Sequence, residues 1–254
     1  MISQLNASEL SRYQSDGFIA IQRCVSGEAL QELLAEVDRF RRDVAPGLPP
    51  EHVFYEDKND PASLKQIQQM DAHDAWFEMF FTAGRLRGVA EQLLQGPVVP
   101  KNLQYFNKPP GVGKATPPHQ DGYYFMLDPC EAVTMWLALD EVDEENGCVR
   151  YVRGSHFRGL REHSRTQTLG FSQGITDYPA ADDLQKEVAI PASPGDLLAH
   201  HALTIHRADG NRSQTRSRRA LGLVYYSERA QEDREKHAAY QRRLAEEMKA
   251  QGKI

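Results

Sequence analysis

At Gly96-Pro97 the texture of the chain changes, and that change restricts the fold more than any other feature. Before it, apolar residues recur at helical spacing: Leu30, Leu33, Leu34 and Val37, then Leu86, Val89, Ala90, Leu93 and Leu94 just ahead of the Gly-Pro stop signal. After it come short β-rich runs separated by Gly, Pro and Asn, over residues 98–106, 123–126, 132–139, 148–152, 187–190, 196–201 and 220–226. Short strands with turn signals between them specify a sandwich or barrel. The expectation is a mainly β fold with flanking helices packed outside it. A single domain is expected over residues 1–254, with a helical part at about 1–97, a β core at about 98–227 and a charged helix at about 228–254.

Within the helical part, Asn6 and Glu9 have the spacing of a capping box, which predicts a helix over about 7–15, ended by Asp16-Gly17 and followed by a short strand at 18–21. Residues 44–60 lack any period and read as an irregular loop. Residues 157–181 form a long polar stretch that reads as either a lid or an unstructured insertion. In the last helix Tyr240, Leu244 and Met248 make a thin apolar stripe, fit for packing on the domain or for a dimer contact, and the oligomeric state stays open.

A net charge of −6 argues against a general nucleic-acid binder. Cys24, Cys130 and Cys148 are odd in number and widely spaced, which suits a reducing cytoplasm rather than a disulfide framework. The N-terminus lacks a basic region followed by an apolar run, and no stretch approaches the roughly 18 apolar residues of a membrane span. The expectation is a cytoplasmic protein with no nucleic-acid and no membrane partner.

The segment richest in chemistry is Pro117-Pro118-His119-Gln120-Asp121-Gly122. Read as extended chain, it projects His119 and Asp121 to the same face. Imidazole nitrogen with carboxylate oxygen is a donor mixture that suits Fe(II) once a third ligand closes the face. His200, His201 and His206 compete for that place; His206 stands where a strand would give way to a Gly/Asn/Ser turn. Beyond it, Arg218 and Arg219 head an alternating strand. Arg218 shares a face with Ala220 and Gly222, which leave room beside an inward guanidinium, and a buried guanidinium needs an anionic partner such as a dicarboxylate.

Asn107-Lys108-Pro109-Pro110-Gly111, Pro118-His119-Gln120-Asp121-Gly122, Trp136-Leu137-Ala138-Leu139-Asp140, Glu145-Asn146-Gly147-Cys148, Gly154-Ser155-His156, and His206 with Asn211, Ser213, Arg218 and Arg219 follow one another in an order that resembles the phytanoyl-CoA dioxygenase (PhyH) family of Fe(II)- and 2-oxoglutarate-dependent oxygenases. The likeness spans about residues 5–226. It implies a double-stranded β-helix (jelly roll) in which His119, Asp121 and His206 hold Fe(II) and Arg218 binds the distal carboxylate of 2-oxoglutarate. Thr134 and Trp136 fall where family members line the cosubstrate pocket, and Gln104 and Lys108 lie on the preceding strand. The implied reaction consumes O2, hydroxylates a C–H bond of a small-molecule metabolite and yields succinate and CO2. One departure is an extra residue between His206 and the arginine pair, so the choice of Arg218 over Arg219 rests on the face argument.

Arg150, Arg153, Arg158 and Arg161 cluster near Gly154-Ser155-His156, a distribution that suits an anionic substrate or a solvated charged face. Two other functional classes use the same residues. A metal-dependent hydrolase could hold Zn(II) on His/Asp/His, and a non-enzymatic metabolite-binding protein could occupy the same barrel. The first gives Arg218 no role.

Overall fold

The computed structural model of the chain describes residues 4–166, 173–180 and 182–250. Its helices are α1 (Ala7–Asp16), α2 (Glu28–Arg39), α3 (Met70–His73), α4 (Ala75–Thr82), α5 (Arg85–Leu93), α6 (Gly122–Phe125), α7 (Asp183–Lys186) and α8 (Arg234–Ala250). The strands begin with β1 (Phe18–Ile21), β2 (Val53–Tyr55), β3 (Leu64–Ile67), β4 (Val98–Lys108), β5 (Thr116–His119), β6 (Leu127–Asp128), β7 (Ala132–Ala138) and β8 (Val149–Val152). They continue with β9 (His163–Arg165), β10 (Gln173–Ile175), β11 (Glu187–Ile190), β12 (Leu197–His201), β13 (His206–Ala208), β14 (Arg218–Ser227) and β15 (Gln231–Glu232).

Two antiparallel sheets face each other in a jelly roll. The larger runs β1-β12-β7-β14-β4-β3-β2 and the smaller β11-β8-β13-β5. Phe18, Trp136, Ala138, Leu198 and Ala220 of the large sheet meet Val149 and Tyr151 of the small one in one apolar cluster between them. The opposite face of the large sheet, with Met135, Leu137, Leu221, Leu223 and Tyr225, packs on Leu33, Val37, Phe77, Phe81, Leu86 and Val89 of the helices. Covered on both faces, β7 is buried along its whole length, which is why its sequence does not alternate.

Local chemistry explains several boundaries. The Asn6 side chain accepts from Glu9 N–H while the Glu9 carboxylate accepts from Asn6 N–H, so α1 starts at a closed capping box. It ends at Gly17, φ 82°, where a Cβ would come within 2.4 Å of His156 Nδ1 and 2.6 Å of Thr204 Oγ1. Glycine is therefore required there both for its dihedral and for its lack of a side chain.

Three expectations are corrected. Residues 123–126, expected as a strand, form the helical turn α6, because Asp121 already has helical dihedrals and Met126, φ 51°, closes the turn. Part of the loop at 44–60 is ordered: β2 pairs with β3 and extends the large sheet. The charged C-terminal helix starts at Arg234, after β15 pairs with β6, and its Tyr240 is buried near Tyr124 of the same chain, with ring centroids 6.4 Å apart. Of the stretch expected as a lid, residues 167–172 and 181 lie outside the described residues; β9 and β10 pair as a small antiparallel sheet. Among the described residues no helix is long and apolar enough to cross a membrane, and the three cysteines are free.

Candidate metal centre

His119 closes β5, and β13 pairs with both β5 and β8, so that His206 stands opposite His119 on one side and Tyr151 on the other. His206 thus begins a strand instead of ending one. Asp121 does not reach the site by strand alternation either. With φ −60° and ψ −31° it turns out of the strand, and the turn swings its carboxylate beside both imidazoles. Oδ1 lies 3.5 Å from His119 Nε2 and 3.7 Å from His206 Nε2, and the three donor atoms all fall within 4.8 Å of one another.

Hydrogen bonds decide which atoms face inward. His119 Nδ1–H donates to Pro117 O at 2.8 Å and His206 Nδ1–H to Thr204 O at 3.0 Å. The lone pairs are thereby left on the Nε2 atoms, the arrangement a metal-binding imidazole needs. Burial, reinforced by His119 and His200, holds His206 well below the usual imidazole range, so it is a neutral ligand at neutral pH. Burial alone would raise the Asp121 carboxyl; the influence of the surrounding imidazoles, His206 first and then His119 and His200, outweighs it and holds the group well below the carboxylate range. Two imidazoles and one carboxylate gathered this closely are the donor set of a facial Fe(II) site, and the residues fit that ion.

The sequence model of the phytanoyl-CoA dioxygenase (PhyH) family matches residues 13–220. The chain belongs to that family. It is 30% identical over 219 residues to mouse peroxisomal phytanoyl-CoA dioxygenase, which accounts for 80% of this chain and 63% of the relative. The chain thus spans less than two thirds of that enzyme's length. Among solved structures, the non-heme α-ketoglutarate-dependent carbocyclase SnoK from nogalamycin biosynthesis superposes with a TM-score of 0.72 at 25% identity, over 91% of this chain and 87% of SnoK. EvdO2 from Micromonospora carbonacea var. aurantiaca gives 0.72 at 25%, over 91% and 94%.

In this PhyH chain the two arginines point opposite ways. Arg219 pairs with Asp140, Nη2 to Oδ1 at 2.8 Å, and with Asp38 at 3.2 Å. Arg218 is inward and 5% exposed; its Nε donates to Gly147 O at 3.0 Å, its guanidinium carbon lies 5.2 Å from the Trp136 ring centroid, and no carboxylate among the described residues pairs with it. Burial pulls it down to about 10. Gly222 does not make the room beside it: a Cβ there would meet Phe106 Cε2 at 2.4 Å, so that space belongs to the Phe106 ring. Lys108 stands directly across the ladder from Arg218. It donates to Lys114 O and to Thr116 Oγ1 at 3.3 Å, and burial, then Arg218, hold it well below its ordinary value. Two buried basic side chains thus stand across one ladder from each other.

The remaining expected residues share this inner face. Trp136 and Gln104 flank Gly222 across the ladders. Gln104 Oε1 accepts from Gln66 Nε2 at 2.7 Å, while Gln66 Oε1 is buried without a partner. Thr134, expected at the cosubstrate, gives its hydroxyl to Asp121 Oδ2 at 2.6 Å. Arg150, Arg153, Arg158 and Arg161 are all ion-paired, to Glu144 and Asp209, Asp16, Asp182, and Asp177 with Asp183 respectively. They are therefore a neutralised surface network and give no support to an anionic substrate.

Gln120 and Tyr151 escaped the sequence reading as site residues, and His200 entered it only as a rival for the third ligand place. Gln120 points away from the ligands it separates. Its Nε2 donates to Gly159 O and Leu203 O, its Oε1 accepts from Arg161 N–H, and its own N–H donates to His163 Nε2. It bolts residues 159–163 and the turn before His206 onto the metal-ligand loop. Gln120→Leu takes the side-chain partner from three half-buried backbone groups, at about 1 kcal/mol each, the low end for a lost partner. Urea unfolding should show a loss of about 3 kcal/mol; a loss below about 0.5 kcal/mol, the range of a neutral surface change, would contradict the bolt.

Proposed function

We propose that this chain is an Fe(II)- and 2-oxoglutarate-dependent dioxygenase that hydroxylates a C–H bond of a small-molecule metabolite, releasing succinate and CO2. The observation that carries this reading is the pairing of a clustered His119/Asp121/His206 donor set with a buried arginine that has no carboxylate partner among the described residues. A hydrolytic metal site would leave Arg218 without a purpose.

His119, Asp121 and His206 would hold Fe(II), whose chemistry when bound is the activation of O2 coupled to oxidative decarboxylation of 2-oxoglutarate. Arg218 takes the distal carboxylate of 2-oxoglutarate through its Nη groups, with Gly147 O and the Trp136 ring fixing the plane of the guanidinium. Lys108 adds positive charge at the same end. Phe106, Leu198, Ala138 and Ala220 keep the chamber apolar and so exclude water from it. Gln66 and Gln104 offer amide groups to cosubstrate or substrate. Tyr124, whose ring is 6.1 Å from that of His119 and whose hydroxyl donates to Gln173 O, joins the ligand loop to β10.

Succinate release, measured across acyl-CoA thioesters, amino acids, small amines and phosphonates with Fe(II) and 2-oxoglutarate, tests the reading. One class should give succinate in step with a product one oxygen heavier. Succinate indistinguishable from the Arg218→Met background with every class would contradict it.

A further inference from the structure

Only one oxygen of Asp121 faces the other two ligand atoms. Oδ1 is the atom near His119 Nε2 and His206 Nε2; Oδ2 is turned away, accepting from Thr134 Oγ1 at 2.6 Å and from His200 Nε2 at 3.0 Å. We propose that His200, locked between Tyr151 and Asp121, is a positioning residue that keeps Asp121 a one-oxygen ligand. This rests on the metal-site reading above and assigns a role to a residue that reading does not use.

The tautomer of His200 follows from its two partners. A carboxylate oxygen only accepts, so Nε2 carries the proton that points at Asp121 Oδ2. Nδ1 lies 3.1 Å from the Tyr151 hydroxyl. Burial, with Asp121 adding to it, pushes Tyr151 far above the ordinary phenol value, so the hydroxyl keeps its proton and donates it to Nδ1. Tyr151 is itself fixed, with no exposure and its ring stacked on Phe18 at 4.5 Å and 14°. A chain of contacts thus runs from β1 through β8 and β12 to the ligand carboxylate. Its register is set by the sheets, since His200 pairs with Phe18 on one side and Thr134 on the other.

A carboxylate with neither oxygen engaged can place both on a cation. Two donors on Oδ2 hold the plane of the group and spend that oxygen's lone pairs, so the position it would otherwise take stays open for the cosubstrate. Losing His200 removes one of the two donors. The consequence is weaker metal binding and, beyond that, weaker binding of 2-oxoglutarate to the metal-loaded protein.

Co(II) binding, the visible d–d spectrum of the Co(II) protein, and 2-oxoglutarate binding to it without O2 are the readouts, applied to the full chain and to three variants. His200→Leu keeps bulk and loses the donor. Metal affinity should fall roughly 10- to 100-fold, as for other residues that orient metal ligands, with an altered d–d spectrum and a further loss for 2-oxoglutarate. His200→Gln can present an amide N–H in the place of Nε2, and should restore both affinities to within about threefold of the parent, well inside the range that loss of an orienting residue produces. Parent-like behaviour of His200→Leu, or equal impairment of the Leu and Gln variants, would overturn the proposal, the second because it would make the ring's packing responsible. Should His200→Leu not fold, Tyr151→Phe decides: a several-fold loss in the same direction supports the chain, and parent-like binding overturns it. A parent protein that binds neither Co(II) nor 2-oxoglutarate overturns the metal-site reading itself, a result distinct from parent-like variants of a protein that binds both.

Discussion

Asp121→Ala should give a folded protein that no longer holds Fe(II). The carboxylate is the one anion among three clustered imidazoles, His119, His200 and His206, whose ring centroids lie within 4.2 Å of that of His206. Its removal leaves two imidazole ligands, and the fall in metal affinity should exceed the roughly 100-fold seen when only an orienting residue is lost. The fold pays less heavily: Thr134 Oγ1 and His200 Nε2 lose their acceptor, a cost of about 1–3 kcal/mol each. The same change carries a pH signature. The folded Asp121 carboxyl sits well below its ordinary value, so its contribution to metal-free stability is fully present above the unfolded value of roughly 3.9 and is lost as pH falls toward the folded one. The variant should lack that acid limb. Equilibrium dialysis against Fe(II), with circular dichroism and acid titration on the same samples, reads all three; Fe(II) retained within a few-fold of the parent would contradict the assignment.

Arg218→Met should weaken 2-oxoglutarate binding severely without weakening the metal-free protein. Truncating one partner of a buried, hydrogen-bonded charge pair costs about 2–5 kcal/mol, or roughly 30- to 3,000-fold in affinity. In the metal-free protein the guanidinium is 5% exposed and has the Gly147 carbonyl as its hydrogen-bond partner. A methionine of similar bulk removes an unpaired buried cation, so the melting temperature should hold or rise. It should also relieve Lys108, whose charge Arg218 opposes. A structural arginine predicts the reverse of both, a lower melting temperature with cosubstrate affinity unchanged. Trp136 lies under the guanidinium and reports binding by its fluorescence.

The residues that were legible in the sequence are those whose role is written locally. Apolar period placed α2 and α5, the capping box placed α1, and alternation distinguished inward Arg218 from Arg219, which the structure ties to Asp140. What failed were inferences that needed register between distant strands. His119 and Asp121 looked like neighbours on one face of a strand, yet Asp121 reaches the site through the turn into α6. Gly222 looked like space for a guanidinium until Phe106, a cross-strand neighbour, filled it. His200 stayed a rival to His206, which was preferred only for its place before a turn, because nothing local shows that Thr134 stands opposite the one and His119 opposite the other. His201, next in sequence, faces elsewhere, its Nδ1 accepting from Leu203 N–H and burial holding it at about 4. The arginines near Gly154 left an anionic substrate and a solvated charged face both open, because the partners that settle it, Asp16, Asp177, Asp182 and Asp183, come from other segments.

The central claim is that His119, Asp121 and His206 hold an iron on which 2-oxoglutarate chelates, with Arg218 at its far end. Its most direct test is the visible absorption of the protein with Fe(II) and 2-oxoglutarate in the absence of O2. A weak metal-to-ligand charge-transfer band should appear at saturating cosubstrate, vanish in Asp121→Ala and need far more 2-oxoglutarate in Arg218→Met. A parent protein that shows no band at saturating Fe(II) and 2-oxoglutarate, or a band untouched by both substitutions, would contradict it.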